Sequence, residues 1–418
     1  MRQTCYKFWT ILVLALLLRV IAAYAIEQHV TQAGRTFLIE GDANSYWELA
    51  QHIVAGEDYA VFQPPRRVLR TPGFPLLLAA SIKVCGKSVF AASLVMAVVG
   101  TGCCWLTWLL ARKLFDELTA LWAMLLVALS PLQIGSNVQI LSETLFSFAL
   151  LGCLLALARL LKQQPGAPSG RIAFANGILT GLTVLIRPGW LLWVGLSSIL
   201  VILFGQMTFA KRILCSCLIC GGCFVALLPW AWRNHEVTGH WIFTSLWSGP
   251  SLYDGLHPNA TGASDMTFFD QEDVLSTMSE FDMNDHYKQR AIDFVVSHPR
   301  RTVELAFLKA GRYLAPSLNA AGFSGGAFSV FCAVWYSTVT VLILAGALDL
   351  RQRMVWVGLL AGPFLQFLLV HMVFVGSIRY RLPVEFPLSI LAAHGLVSLR
   401  QRWKQRTRRD CERQSGVT

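Results

Sequence analysis

Apolar residues run along this chain in long unbroken blocks divided by short polar interruptions, a pattern of buried helices rather than of alternating strands. The blocks fall at roughly 8–26, 73–85, 88–111, 118–134, 138–161, 173–187, 188–204, 213–230, 327–348, 354–375 and 382–398, about eleven candidate membrane spans. Phe8 to Ile26 has the apolar core of a secretory leader. Arg19 interrupts it, however, and no Ala-x-Ala cleavage site follows, so it reads as the first span. Segment 73–85 makes only ~20 Å of helix against ~30 Å of hydrocarbon, and is expected to be partial, re-entrant or extended by its neighbour. Two long polar stretches remain, 27–72 and 231–326. In the first, Tyr46, Leu49, Ala50 and Ile53 follow Asp42 at helical spacing. Trp47 and Val54 widen the stripe and Gly56 is placed to stop it, which predicts a helix lying flat on the membrane. In the second, turn residues and aromatics (Trp241, Phe243, Trp247, Tyr253) precede an acidic, helical stretch from Asp270 to Val296, together a small cap over the membrane face. The expected fold is an all-α polytopic helix bundle. Residues 1–230 form its core, with a first loop at 27–72; 231–326 is the cap, 327–398 the C-terminal spans and 399–418 a basic tail.

Composition agrees: of 418 residues 55% are hydrophobic and 14% charged, with mean hydropathy +0.53, so most of the chain belongs in lipid. The charge distribution then sets an orientation. Arg400, Arg402, Lys404, Arg406, Arg408, Arg409 and Arg413 put the tail in the cytosol, with Lys162 to Arg171, Lys211-Arg212 and Arg112-Lys113 on the same side. Loops 27–72 and 231–326 are then outside. With a cytosolic N-terminus this leaves one span too many before residue 112, and 73–85 is the weakest; if it does cross, Arg112-Lys113 lies outside. Arg35, Arg66, Arg67 and Arg70 run against the rule, but long loops obey it poorly. The net charge of +11 is confined to ends and short loops, which excludes a nucleic-acid surface and suits membrane orientation and phosphate binding. The chain reads as a multi-pass protein of a bacterial inner (plasma) membrane. Pro165 to Gly170 reads as a flexible linker. None of the eleven cysteines falls in either long loop, so no disulfide framework is expected, and Cys215, Cys217, Cys220 and Cys223 read as packing residues.

The candidate chemistry lies in charged residues at membrane depth. Asp42 reads either as the N-cap of its helix or as a fixed proton acceptor. Arg70, Arg187 in Ile-Arg-Pro-Gly-Trp, Arg233 in Trp-Arg-Asn, and Arg379 and Arg381 flanking Tyr380 in Ser-Ile-Arg-Tyr-Arg-Leu-Pro each read as a snorkelling side chain or a phosphate ligand. The last pair stands at the outside end of a span, where cations are disfavoured; being two residues apart, the two point in different directions. Glu143, in or near lipid, reads as functional or as the partner of an arginine such as Arg187. His235, His240 and His257 lack metal-ligand spacing.

Five stretches carry a resemblance. They are Asp42 with the Tyr46-x-x-x-Ala50 helix, Arg70-x-Pro-Gly-Phe-Pro-Leu-Leu-Leu-Ala79, Ser142-Glu143-Thr-Leu-Phe146, and Pro229-Trp-x-x-Arg-Asn234, with Arg379-Tyr-Arg-Leu-Pro383 near the end. Together they resemble the membrane-embedded glycosyltransferases of the GT-C class, nearest the protein O-mannosyltransferases and their bacterial relatives, including the aminoarabinose transferase of lipid A. The resemblance implies a polyprenyl-phosphate-sugar donor, a catalytic Asp in the first outside loop (here Asp42), and phosphate or acceptor contact by the Arg-Tyr-Arg run. The resulting expectation is an inverting transferase that needs no metal or other cofactor, in keeping with the lack of an Asp-x-Asp motif. Asp42 would be the base; Arg70, Arg187, Arg379, Tyr380 and Arg381 would hold the donor phosphate; Tyr46, Glu143 and Arg233 would be acceptor-side or structural. Besides membrane lipids, the partners would be the donor and a glycan, lipid or protein acceptor. Ala43 replaces a second acidic residue of the O-mannosyltransferases proper, which weakens the case for protein. A polytopic transporter or lipid flippase is the alternative from another class, and a non-catalytic sensor built on the enzyme fold is a third.

Overall fold

The computed structural model describes residues 2–164, 169–317 and 326–415. Among them the chain is helical throughout: α1 (Arg2–Gln32), α2 (Glu40–Ala55), α3 (Gly73–Cys85), α4 (Val89–Leu114), α5 (Glu117–Leu129), α6 (Pro131–Ser136), α7 (Glu143–Leu161), α8 (Ser169–Val184), α9 (Leu192–Phe204), α10 (Phe209–Thr238), α11 (Ser248–Gly255), α12 (Thr267–Glu272), α13 (Glu280–Ser297), α14 (Pro299–Leu314), α15 (Gly326–Asp349), α16 (Met354–Val373) and α17 (Ile378–Ser415). Seven helices among the described residues (α1, α4, α7, α10, α15, α16, α17) are long and apolar enough to cross a membrane. Shorter apolar helices at Gly73–Cys85, Glu117–Leu129 and Pro188–Phe204 fill in between them. The chain is a multi-pass membrane protein.

The eleven apolar blocks each coincide with a helix, but several breaks fall where local chemistry puts them. Block 118–134 is cut at Ser130 because Pro131 starts a new helix at its first position, where the missing N–H costs nothing. Block 173–187 stops at Val184, leaving Arg187 in a turn ahead of Pro188. The acidic helix expected over 270–296 is two helices. Asp273 takes a left-handed backbone (φ 40°) that ends the first, and Ser279 caps the second by accepting from the Asp282 amide. The linker residues Pro165 to Pro168 lie outside the described residues, as do the side chains of Arg409 and Arg413.

α7 and α17 form the centre of the bundle, with Phe146, Leu150, Leu154, Phe386 and Ile390 buried in one continuous core. α17 meets α15 face to face, where Gly346 and Gly395 face each other's backbones; a Cβ on either would stand within 2.3 Å of a carbonyl oxygen across the seam. Arg19 is fully buried in α1, its Nε donating to Asn137 Oδ1 at 3.1 Å and Nη1 to the Ala15 carbonyl. This is how an arginine survives within the first span.

One end of the bundle carries the basic short loops and the start of the arginine-rich tail. There Lys162 donates to the Lys113 carbonyl, Arg112 pairs with Glu117, and His394 and Arg402 both meet Asp349. The opposite end carries the first loop and the cap, α11 to α14. α2 and α3 pack on each other through Tyr46, Ala50, Phe74 and Leu78. α3 keeps the short bounds expected of it. The turn before it is pressed against the end of α8: the Gly73 amide donates to the Leu185 carbonyl at 2.9 Å, and a Cβ on Gly73 would stand 2.7 Å from that same oxygen. Only glycine permits that approach, and through it the first loop reaches the turn bearing Arg187.

Candidate active site

Asp42 is not the N-cap of α2. That position belongs to Ile39, and Asp42 lies in the first turn of the helix, its carboxylate free to face inward. Two guanidiniums meet it there. Arg70 Nη2 donates to Oδ1 at 2.5 Å and Arg379 Nη1 stands 2.8 Å from Oδ2. Arg379 then turns its Nε to Glu143 Oε1 at 2.5 Å, and Arg187 Nη1 reaches the same oxygen at 3.2 Å. The result is a chain of five charges, Arg70–Asp42–Arg379–Glu143–Arg187, with three guanidiniums to two carboxylates. One positive charge is left over.

Each member is held by its own element. Arg70 ends the extended closing segment of the first loop; its Nε donates to Ser45 Oγ at 3.2 Å and its guanidinium lies 5.0 Å from the Tyr46 ring centre. Tyr46 is itself buried, edge-on to Phe74, so it is a shelf for Arg70. Glu143 opens α7 and is buried, with Oε2 lacking a hydrogen-bond partner among the described residues. Arg187 lies over Tyr380 at 5.2 Å, and Tyr380 stacks on His371 with ring centres 4.2 Å apart. Asp42 keeps 31% of its side chain exposed, Arg379 23% and Arg70 18%, so the cluster opens toward solvent at Asp42 and closes at Glu143. Burial works against ionising Asp42, but the charges of Arg70 and Arg379 outweigh it and hold its carboxyl well below the usual carboxylate range.

Of the residues singled out in the sequence, Asp42, Arg70, Glu143, Arg187, Arg379 and Tyr380 are thus brought together. Arg381 is not. It is fully buried and turned the other way, with Nε on Glu385 Oε1 (2.6 Å), Nη1 on the carbonyls of Tyr313 and Ala315 (2.8 and 2.9 Å) and its guanidinium 3.6 Å from the centre of the Tyr336 ring. It ties the end of α14 to the start of α17. Arg233 also stays outside the cluster, donating to the carbonyls of Arg67 (2.6 Å) and Tyr59 (3.2 Å) and so fastening the first loop to α10. Sequence reading missed Glu280. Its carboxylate, at the first position of α13, accepts from the amides of Arg67 (2.8 Å) and Val68 (3.1 Å), more than 200 residues away in the chain. Only its place next to the capping residue Ser279 marks it in the sequence. Lys309 was missed as well. It is buried in α14, its Nζ donating to the carbonyls of Gly255 and Val373.

The histidines do not converge: His235 stacks on Trp241, His240 on Phe281, and His257 lies beside Tyr253. The α10 cysteines face two ways, Cys215 and Cys223 inward and Cys217 and Cys220 outward.

The helical membrane bundle itself is a fold shared with known membrane glycosyltransferases, as the comparisons with known proteins show. The family model of dolichyl-phosphate-mannose-protein mannosyltransferases matches residues 69–232. The fold is similar to that of the archaeal oligosaccharyltransferase AglB from Archaeoglobus fulgidus in complex with an inhibitory peptide and a dolichol-phosphate. The TM-score is 0.59 at 14% identity, covering 95% of this chain and 51% of that one. A structure of the A. fulgidus oligosaccharyltransferase with zinc and sulfate matches at a TM-score of 0.56 and 14% identity, covering 95% and 50%. ArnT from Cupriavidus metallidurans, bound to undecaprenyl phosphate, matches at 0.46 and 14% identity, covering 93% and 77%. The chain spans about half the length of the oligosaccharyltransferase. No curated protein matches in sequence. The chain therefore has the GT-C fold, and its sequence resembles the mannosyltransferase family over the matched segment. Among the described residues no three His, Cys, Asp or Glu side chains gather as metal ligands would.

Proposed function

We propose that this protein transfers a sugar from a polyprenyl-phosphate carrier to an acceptor hydroxyl on the extracytoplasmic face of the membrane, with inversion at the anomeric carbon. The observation that carries the reading is the Asp42 cluster, a solvent-facing carboxylate shared by two arginines with a net positive charge behind it. The acceptor oxygen forms a bond to the anomeric carbon as the bond from that carbon to the phosphate oxygen breaks. The acceptor's proton goes to Asp42, and polyprenyl phosphate leaves as a dianion.

The depressed pKa of Asp42 fits a two-stage use of its arginines. With both guanidiniums on it, Asp42 is a poor base. A donor phosphate competes for Arg70 and Arg379, and each contact it takes from Asp42 raises the basicity of that carboxylate. Binding of the donor would thereby prepare the base. Arg187, on the far side of Glu143, supplies a third cation for the charge that grows on the leaving phosphate. Arg381 is assigned a positioning role, since its Nε and Nη1 are committed to Glu385 and to backbone and it is fully buried, turned away from the cluster. The match of residues 69–232 to a family named for dolichyl-phosphate-mannose supports a lipid-phosphate donor. Lys and Arg at the opposite end of the bundle support an extracytoplasmic site. The glycan, lipid or protein nature of the acceptor is left to experiment. Reconstituted protein given a polyprenyl-phosphate sugar should release polyprenyl phosphate only when an acceptor is added. Transport of the intact lipid across the bilayer without bond cleavage would replace this reading by the flippase one.

A further inference from the structure

At the basic end of the bundle, far from the Asp42 cluster, α1, α5 and α17 enclose a groove of about 400 Å³. Its wall is apolar, formed by Leu118, Leu121 and Leu125 along one face of α5 with Trp122 beside them, and its rim carries Lys7 from α1 and Arg400 from α17. Both cations are exposed, and among the described residues neither has a hydrogen bond or ion pair. Their neighbours differ: Arg112 is paired with Glu117, and Arg402 with Asp349. Two uncompensated cations at the mouth of an apolar groove, at the end of a membrane bundle, call for a ligand with one anionic head and a hydrocarbon body. The volume lies within the range of small-ligand sites, ~300–1,000 Å³.

We infer that this groove binds one anionic glycerophospholipid, its phosphate between Lys7 and Arg400 and an acyl chain along Leu118, Leu121 and Leu125. In the orientation proposed above the lipid belongs to the cytosolic leaflet. The site itself rests on the groove and the two cations alone, so it stands or falls apart from the transferase reading. Cations of this kind each favour an anionic lipid surface by enough that losing two should weaken binding roughly tenfold.

The test is native mass spectrometry of the full chain in detergent with equal phosphatidylglycerol and phosphatidylcholine. One phosphatidylglycerol should be retained in preference to phosphatidylcholine. Lys7→Gln with Arg400→Gln should reduce that retention about tenfold, whereas Lys404→Gln with Arg406→Gln, outside the groove, should change it less than twofold. Thr10→Trp, which fills the groove and leaves both cations, should also abolish it. Equal retention of the two lipids, or an equal loss in the tail double variant, would show a diffuse basic surface and overturn the site. So would unchanged retention in Thr10→Trp. All three variants replace exposed side chains, and an unaltered melting profile excludes misfolding as the cause.

Discussion

The Asp42 cluster and the anchors around it are built from the same residue types with opposite economy. In the cluster, Arg70, Arg379 and Arg187 give their donors to carboxylates that a phosphate can replace. In the anchors, Arg233, Arg381 and Lys309 give theirs largely to backbone carbonyls, and Glu280 takes backbone amides. A side-chain partner is exchangeable when a ligand of the same charge arrives. A backbone carbonyl is not, since the chain that carries it must move too. The difference separates charges available for chemistry from charges that hold the frame, and burial follows it at two of the anchors and at the open end of the cluster. Arg381 and Lys309 are fully buried, while the cluster opens toward solvent at Asp42.

The largest effect should come from Asp42→Asn, which keeps shape and removes the base. Turnover should fall roughly 10²–10⁴-fold, with donor affinity unchanged or improved because Arg70 and Arg379 lose a competitor. Full activity with defined donor and acceptor would end the general-base assignment. The pH dependence sharpens the same point. The Asp42 carboxyl is held low in the free protein, so its ionisation persists as pH falls through the ordinary carboxylate range and is lost only below it. The acid limb of kcat/KM should accordingly lie below the limb of kcat, because bound donor draws the arginines away. Coincident limbs would show that the donor leaves those arginines on Asp42.

Next in size is the contrast between two arginines two residues apart. Arg379→Ala removes a charge-assisted contact and should weaken binding of a polyprenyl-phosphate sugar about tenfold to a hundredfold, near 1.5–3 kcal/mol. Arg381→Ala should leave that affinity within about twofold in the protein that folds, while lowering its melting temperature, since the Tyr313 and Ala315 carbonyls and Glu385 lose their partner. Equal loss of affinity in both variants would erase the distinction drawn here and return Arg381 to the phosphate site.

Much of this was legible in the sequence. The apolar blocks located all seven helices that, among the described residues, are long and apolar enough to cross a membrane, Gly56 ended α2 with a left-handed backbone as placed, and Arg187 was named as a partner for Glu143. What stayed hidden depends on distance along the chain. Arg379 reaches Asp42 and Glu143 only because α17 returns to the centre of the bundle beside α7, and no local pattern encodes that crossing. Local rules misled at Asp42 itself, where an acidic residue ahead of a helical stripe looks like a cap; Glu40 and Gly41 extend the helix past it and turn the carboxylate into the cluster. Glu280 and Lys309 carry no motif at all, because a residue that binds backbone can bind any residue's backbone.

A smaller effect should attend Glu280. Glu280→Ala leaves the amides of Arg67 and Val68 without their acceptor, an opening worth about 1–3 kcal/mol locally, and should speed hydrogen exchange there while lowering kcat a few-fold through displacement of Arg70. Glu280→Gln retains an acceptor oxygen and should recover part of both. A rate loss in Ala with exchange unchanged would mean that Glu280 acts on substrate rather than on the loop.

Smallest is a stability term from Lys309, the anchor that joins the cap helix α14 to the end of α16. Burial lowers its pKa from 10.5 to about 8, and nearby Asp254 offsets only part of that. The folded protein thus gives up this proton near pH 8 while the unfolded chain holds it until about 10.5, so between those values the unfolded state binds more protons and stability rises with pH. Below pH 8 both states are charged and the burial cost is constant. The melting temperature of the wild type should therefore climb by a few degrees at most from pH 8 to 10, over whatever slope other groups impose. Lys309→Met keeps the length and apolar stem of the side chain without the proton, so its difference from wild type should shrink or change sign across that interval. A difference that stays constant from pH 8 to 10 would mean that the Gly255 and Val373 carbonyls hold the ammonium well enough to keep it protonated. Lys309 would then belong with Arg381 as a permanent charge in the frame.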